Sequence, residues 1–532
     1  MKLIIKDYLS SLNEEIGLND LIPKLYLLDG YTIVNNAQKG VRQNGVDILA
    51  ERNDCPHLIT IKQGNIKREN WNNDPTSLRQ SLDDIIDAYI PNNLPKKYEN
   101  KKIHIDIVLN GYVEQSVQNS LTGYEKRYKD YLFNVLNIDT LTEMVYDSLL
   151  NENLFPLEDA SKLRKCLVLI NEKDFNMTIF NELMNGLINS LAEISSMKNF
   201  QREIRKIILI QNIICNWDCK CNVYINKIKC CESLILKIVT KLFKLNKNKK
   251  EIDLLFNSIL RIYINMLDKY FNNALKLKNT YRALPIFDEL GHKLKLFEIL
   301  GILSTYGLIL IDENNYKDEN QVKIENIRTL IINILNNYDG VCYIPLETNC
   351  SEISLILLFL YKCGDVNSAR SYAITLLNYQ IINYIRYKRF PFPYDDYYEA
   401  LNNKESNTVN FTSSLVIENL YEWLILLDGF DKKYIDIDLC KKTFKDVSMQ
   451  SWSYSEDEEI QVLNGEKTTG CCFVLPKFQN CRQYKKVLKQ LVKGINYKTY
   501  IVEKKKISYI SLVASRLYRL PVNPYHFLKY LK

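Results

Sequence analysis

The spacing of apolar positions changes character within the first 150 residues and then settles. Asn19–Leu28 carries apolar residues at helical spacing, and Gly30 follows in the usual terminating role of glycine. Tyr31–Asn36 is a short β-rich run. Gly40–Gly45 reads as a turn, Val46–Glu51 as a strand, Arg52–Pro56 as a second turn and His57–Gln63 as an apolar strand. Two strands joined by so few residues pair most simply as a hairpin. Leu78, Leu82, Ile85, Ile86 and Tyr89 then share one helical face. Asp74 stands as N-cap, Pro75 as first helical residue, and Pro91 as the stop. Lys101–Asn110 alternates Ile103, Ile105 and Ile107 with His104 and Asp106, which is a strand pattern. A strand on the far side of a helix implies a crossover, so this region is expected to be an α/β layer domain.

Beyond Pro156 the alternation stops. Leu157–Leu284 contains no proline and one glycine, Gly186, which points to long helices. Ile353–Cys363, the Gly364-Asp365 turn and Val366–Ile382 outline a helical hairpin. Ala369, Tyr372, Ala373, Leu376 and Leu377 lie on one face of its second helix. The pair is similar to a tetratricopeptide unit, yet no 34-residue period repeats, so an irregular helical array is expected. Lys388–Thr412 reads as loop. Cys471–Leu475 reads as a small strand, and Pro521 and Pro524 interrupt the last helical pattern. The expected organisation is residues 1–150, a helical array over 151–387, and a helical region with loop insertions over 388–532.

Composition adds boundaries. Hydrophobic content of 46% and charged content of 25% are ordinary for a folded protein. The apolar patch at the N-terminus is too short for a signal peptide, and the richest apolar run, Ile353–Leu360, is far shorter than a membrane span. A cytoplasmic location is the expectation. Residues 1–150 hold 17 basic against 21 acidic side chains and the remainder 53 against 42, so the attractive field for a polyanion lies in the helical part. Four histidines poorly supply histidine-based catalysis. Cys215, Cys219, Cys221, Cys230 and Cys231 lack zinc-knuckle spacing and read as buried helix cysteines. The acids Glu456–Glu459 read as a solvated run. Arg386, Lys388 and Arg389 interleave with Tyr384, Tyr387 and Phe390, half of which belong to a helix core.

The chemistry lies in the hairpin. Metal-dependent phosphodiester hydrolysis needs a carboxylate to hold a divalent ion, a second ligand and commonly a lysine. Residues i and i+2 of one strand share a face, so a ligand and a lysine so spaced point together. The stretch KGVRQNGVDILAERNDCPHLITIKQG resembles the core of PD-(D/E)XK nucleases. The resemblance covers no more than the first 150 residues. It implies that Asp47 is the metal-binding aspartate and Lys62 the lysine of the (D/E/Q)-x-K element. It also implies an acid from the preceding helix, for which Glu14, Glu15 and Asp20 stand in place; Glu15 is carried forward with Asp47 as the Mg²⁺ (or Mn²⁺) pair.

Thr60 departs from that pattern, standing where the family has Glu, Asp or Gln. A hydroxyl is a weaker ligand for a hard cation than a carboxylate. Glu51 is no substitute, since four strand residues separate it from Asp47 by roughly 13 Å. Gln63 points to the opposite face. Lys67 and Arg68, just past the strand, and Arg79, near the following helix start, are candidates for gripping a nucleic-acid backbone, while Trp71 reads as packed on the sheet. The functional expectation is a metal-dependent endonuclease acting on double-stranded DNA, of a bacterial restriction or antiphage-defence type. Its helical region would recognise a partner protein or nucleic acid. The alternative is a non-catalytic helical adaptor with a degenerate nuclease-like domain.

Overall fold

The computed structural model describes residues 2–35, 44–72, 77–148, 155, 157–172, 175–217, 224–243, 245, 248–276, 289–313, 318–387, 413–428, 437–445, 447–453, 459–465, 471–474, 486 and 510–519. The chain forms two compact units: Met1–Lys227 with Leu245–Ile259, and Ile228–Lys244 with Leu260–Lys532.

In the first unit, α1 (Lys2–Ser11), a π-helical turn (Glu14–Leu18) and α2 (Asn19–Leu28) precede a mixed sheet. Its strands are β1 (Thr32–Asn35), β2 (Ile48–Arg52), β3 (Cys55–Lys62), β4 (His104–Leu109) and β5 (Leu132–Leu136). They lie side by side in chain order, antiparallel from β1 to β3 and parallel from β3 to β5. The parallel steps require crossovers. The first runs through α3 (Arg68–Asn72), α4 (Leu78–Asp84), a π-helical continuation (Ile85–Tyr89) and α5 (Ile90–Asn93). The second is α6 (Gln115–Arg127), and α7 (Ile138–Ser148) follows β5. The expected α/β layer is present, with helices flanking the sheet.

Both sheet faces are buried, as parallel pairing favours. Leu49, Leu58, Ile105, Ile107 and Leu109 pack with Leu78, Leu82 and Ile85 of the first crossover and with Val117, Leu121 and Tyr124 of α6. Ile48, Ala50, Ile59, Ile61 and Val108 are fully buried too. Alternation places the β3 and β4 members of this second set on the other face, where Tyr26 of α2 reaches Asp106.

Three local expectations change. The β2–β3 turn is two residues, Asn53 (φ 52°) and Asp54 (φ 59°), because Arg52 and Cys55 already pair. Asn and Asp tolerate the left-handed conformation that such a hairpin turn demands. Asp74 and Pro75 lie outside the described residues; the helix begins at Leu78, with Ser77 extended before it. It also runs past Pro91, which falls at the start of α5, where a missing N–H costs least.

The rest is mostly helical, as expected. Helices α8 (Leu157–Leu169), α9 (Thr178–Glu193), α10 (Met197–Asn216), α11 (Tyr224–Lys237) and α12 (Lys249–Lys276) follow in order. Next come α13 (Glu289–Glu313), α14 (Asp318–Asn337), α15 (Cys350–Lys362) and α16 (Val366–Tyr387). α15 and α16 form the hairpin, turning at Gly364 (φ 78°), with Ala369 and Ala373 fully buried. A small sheet of β6 (Ser413–Ser414), β7 (Ser448–Ser453) and β8 (Cys471–Val474) extends the strand foreseen near Cys471.

Cys215, Cys230 and Cys231 are buried thiols; Cys219 and Cys221 lie outside the described residues. So do Lys388, Arg389 and Phe390 of the basic-aromatic patch, the expected loop at 388–412, and Pro521 and Pro524. Within α13, Leu290–Ile311 is long and apolar enough to cross a membrane, and 78% of that stretch's apolar window is buried. Lys293, Lys295 and Glu298 break up its apolar positions.

Candidate functional site

Asp47 stands just before β2, where the ladder to β3 departs from regular pairing. Its N–H donates to the Ile59 carbonyl at 2.9 Å. Its Oδ2 accepts the Ile61 N–H at 2.7 Å. Asp47 is therefore bonded to both neighbours of Thr60. Gly45 makes this approach possible. Its φ is +81°, and a Cβ there would stand 2.1 Å from the Ser81 carbonyl oxygen of α4. The turn leading into Asp47 thus lies against the helix backbone.

Lys62 ends β3 and shares a strand face with Thr60. It is half-buried and makes no ion pair among the described residues, yet it lies near enough to favour the charge of Asp47. Burial nevertheless dominates and holds the Asp47 carboxyl above its usual range; the Ile61 N–H and the Lys62 charge pull it back part of the way. Thr60 is fully buried, and its hydroxyl has no hydrogen-bond partner among the described residues.

The loops at the carboxyl ends of β3 and β4 are fastened together beside this pair. Ile66 N–H donates to the Tyr112 carbonyl at 2.8 Å, and Glu114 N–H to the Ile66 carbonyl at 3.1 Å. Asn65 Oδ1 accepts the Tyr112 N–H at 2.9 Å, and Asn110 Oδ1 accepts the Gly64 N–H at 2.6 Å. A Cβ at Gly111 would fall 2.4 Å from the Gly64 carbonyl, so glycine is required there. Buried Asn110 also donates to the Leu9 and Leu12 carbonyls, both at 2.9 Å, and so ties the end of α1 to the same edge.

The remaining sequence candidates fall as follows. The π-helical turn holding Glu14 and Glu15 packs against β3, but the Glu15 side chain lies outside the described residues. Asp20 is spent on Lys24 at 2.8 Å. Glu51 binds Lys97 at 2.5 Å and Tyr98, away from Asp47. Lys67 stands 3.9 Å from Glu114, and Arg79 lies 3.7 Å from Asp83. Arg68 forms no ion pair among the described residues. Trp71 is buried edge-on against Tyr124, as its packing role implies.

A divalent cation fits this donor set in kind rather than in number. Asp47 Oδ1 receives no hydrogen bond among the described residues, and carboxylate and hydroxyl oxygens are the ligands a hard cation takes. Yet no three His, Cys, Asp or Glu side chains gather closely enough to hold an ion among the described residues.

A second polar cluster escaped the sequence reading. Asp106, 2% exposed on β4, accepts from Tyr26 Oη at 3.0 Å and Asn134 Nδ2 at 2.7 Å, and pairs with His57 Nδ1 at 2.8 Å. His57 stacks on His104 with ring centroids 4.2 Å apart and planes 16° apart. Ring nitrogens in near-parallel planes do not converge on one ion, and Asp106 is already satisfied, so the cluster is structural. The signal was present in His104 and Asp106: polar residues alternating along a central strand must find partners, because both faces are covered.

Compared with protein-family models, curated proteins and solved structures, the chain matches none of them.

Proposed function

We propose that the N-terminal α/β region is a metal-dependent nuclease of the PD-(D/E)XK kind, acting on double-stranded DNA. The observation that supports this best is the meeting of a half-buried aspartate, bonded across the hairpin, with a lysine at the end of the neighbouring strand that has no ion pair among the described residues. A half-buried lysine is costly to keep without a use for its charge. In this reading Asp47, with Glu15 from the π-helical turn, holds Mg²⁺ or Mn²⁺. The bound ion would supply Lewis acidity toward the scissile phosphate. Lys62 orients the attacking water and offsets charge developing on the phosphate. Arg68 is the freest of the cations proposed to grip the backbone; Lys67 and Arg79 would first loosen Glu114 and Asp83. The helical region would recognise a partner protein or nucleic acid, and a bacterial restriction or antiphage role rests on the family resemblance alone.

The test is cleavage of plasmid DNA and of RNA with Mg²⁺ or Mn²⁺, alongside Asp47→Asn and Lys62→Ala. Each substitution is expected to lower the rate by about 100-fold or more. Unchanged cleavage in both variants would remove the site assignment.

Thr60 supports a second reading, a nuclease-like module kept for binding or assembly after losing its metal. Absence of cleavage on every substrate, with folding and partner binding intact, would favour it.

A further inference from the structure

We propose that Glu418 is a proton-held latch in the second unit. While its carboxyl is neutral the Leu415–Leu426 helix stays seated against α15 and α16, and ionisation unseats the helix. Glu418 and Glu422 stand one helical turn apart on that helix, each 1% exposed. Neither carboxyl oxygen of Glu418 has a hydrogen-bond partner among the described residues. Native structures leave few buried polar groups unpaired, and an unpaired charge in a dry layer costs far more than a neutral acid. The donors that a helix start ordinarily offers a carboxylate are already taken. Glu347 accepts the Leu415 and Val416 N–H groups at 3.0 Å each, and Ser414 Oγ accepts the Ile417 N–H at 3.3 Å. Burial, and after it the neighbouring Glu422, hold the Glu418 carboxyl well above its usual range.

The elements packed around this helix bring Glu418 no compensating charge among the described residues. Glu347, just before α15, is itself an acid, and Glu352 of α15 is another, with Arg519 at 3.8 Å. On α16, Tyr372 donates to the Val341 carbonyl at 3.0 Å, and Tyr384 packs on Phe444. Cys440 of the Ile437–Thr443 helix meets Tyr421, and β7 carries no titratable side chain. The cation is Arg370 of α16, whose Nε donates to the Leu427 carbonyl at 2.7 Å. That is the far end of the helix, nine residues and roughly 14 Å from Glu418. The Glu347 bonds at the helix start and the Ser354–Asn419 bond at 2.9 Å run the helix parallel to α15, hence antiparallel to α16. Ten residues along α16 from Arg370, Gln380 therefore stands level with Glu418. Gln380 is 2% exposed, and its Nε2 also has no partner among the described residues. A buried amide donor at the level of the acid, yet not bonded to it, leaves Glu418 without compensation for a negative charge.

Amide hydrogen exchange of the 415–426 segment, followed by mass spectrometry on the full chain between about pH 6 and 9 and corrected for base catalysis, tests the latch. A carboxyl raised in the folded state contributes fully at low pH and loses that contribution as pH rises past its folded titration point. The Glu347→Gln background removes the neighbouring acid's own titration. In that background, protection of the helix should fall with rising pH, by up to about tenfold per pH unit once Glu418 titrates. Adding Glu418→Gln should make protection independent of pH. Glu418→Leu, which also removes the charge, should do the same and decides the matter if the amide variant fails to fold. Protection already flat with Glu418 present would overturn the proposal, as would a fall that persists after Glu418 is replaced.

Discussion

His57 and Asp106 sit on adjacent parallel strands with Nδ1 and Oδ2 2.8 Å apart, in a layer that water does not reach. Asp106 is the hub, and three side chains from α2, β3 and β5 depend on it. Asp106→Ala leaves buried donors without an acceptor. We expect a loss of about 3 kcal/mol or more in urea unfolding, with Asp106→Asn retaining part of it. A loss within error of zero would show that the cluster is not bound as described.

His104 predicts an acid-side response. Burial and the neighbouring His57 hold its imidazole below the ordinary range. The unfolded chain therefore takes up a proton near pH 6.5 that the folded chain resists. Stability should fall as pH drops below that value, until the folded ring itself protonates. His104→Gln should flatten this part of the pH profile, measured by denaturant titration at several pH values.

Glu347 predicts the opposite slope in the second unit. Its carboxylate accepts the Ser414 hydroxyl at 2.7 Å and the Leu415 and Val416 N–H groups at 3.0 Å each, at the start of the Leu415–Leu426 helix. Burial outweighs those bonds and raises its pKa to about 7. The folded state thus holds a proton that the unfolded state releases above pH 4.5, so this contribution is complete at low pH and fades through pH 7. The change is on the order of 3 kcal/mol. Glu347→Gln should remove the slope, and a persistent slope would assign it elsewhere.

Glu232 and Arg516 pair fully buried, and Tyr263 donates to Glu232 at 2.6 Å. The two residues are 284 positions apart in sequence. Glu232→Ala strands a guanidinium in the core, and we expect about 3–5 kcal/mol of destabilisation. Replacing both residues by apolar side chains of similar volume should recover most of it, which thermal unfolding of the single and double variants will show.

Gly45→Ala should be as damaging as a core truncation. The position combines positive φ with a Cβ 2.1 Å from a backbone oxygen. The expected cost is at least about 2 kcal/mol, with Mn²⁺ binding lost as Asp47 is displaced. Gly30→Ala, at φ +86° in open space, supplies the comparison for strain alone.

Much of the fold was legible because its signals are local. The Asn19–Leu28 helix matches residue for residue, and the β3 and β4 patterns and the long helices after Pro156 follow from spacing and from missing proline and glycine. What escaped depends on distant partners. Asn110 is an unremarked strand-end asparagine until the Leu9 and Leu12 carbonyls at the end of α1 meet it. Asp106 looks like ordinary alternation until Tyr26 and His57 meet it, and the isolation of Thr60 is visible only once its surroundings close over it. The Asp47–Lys62 pairing was readable from hairpin length, whereas the acid that joins it depends on how the Glu14–Leu18 turn rests on β3.

The two-residue Asn53–Asp54 turn has a practical use. It closes the hairpin at the end opposite Asp47 and Lys62, with the paired length of β2 and β3 between. A peptide tag or a fluorophore grafted at that tip would ride on a rigid handle without touching the proposed chemistry. The protein can thereby be immobilised or tracked with the far end of the hairpin free to meet a nucleic acid.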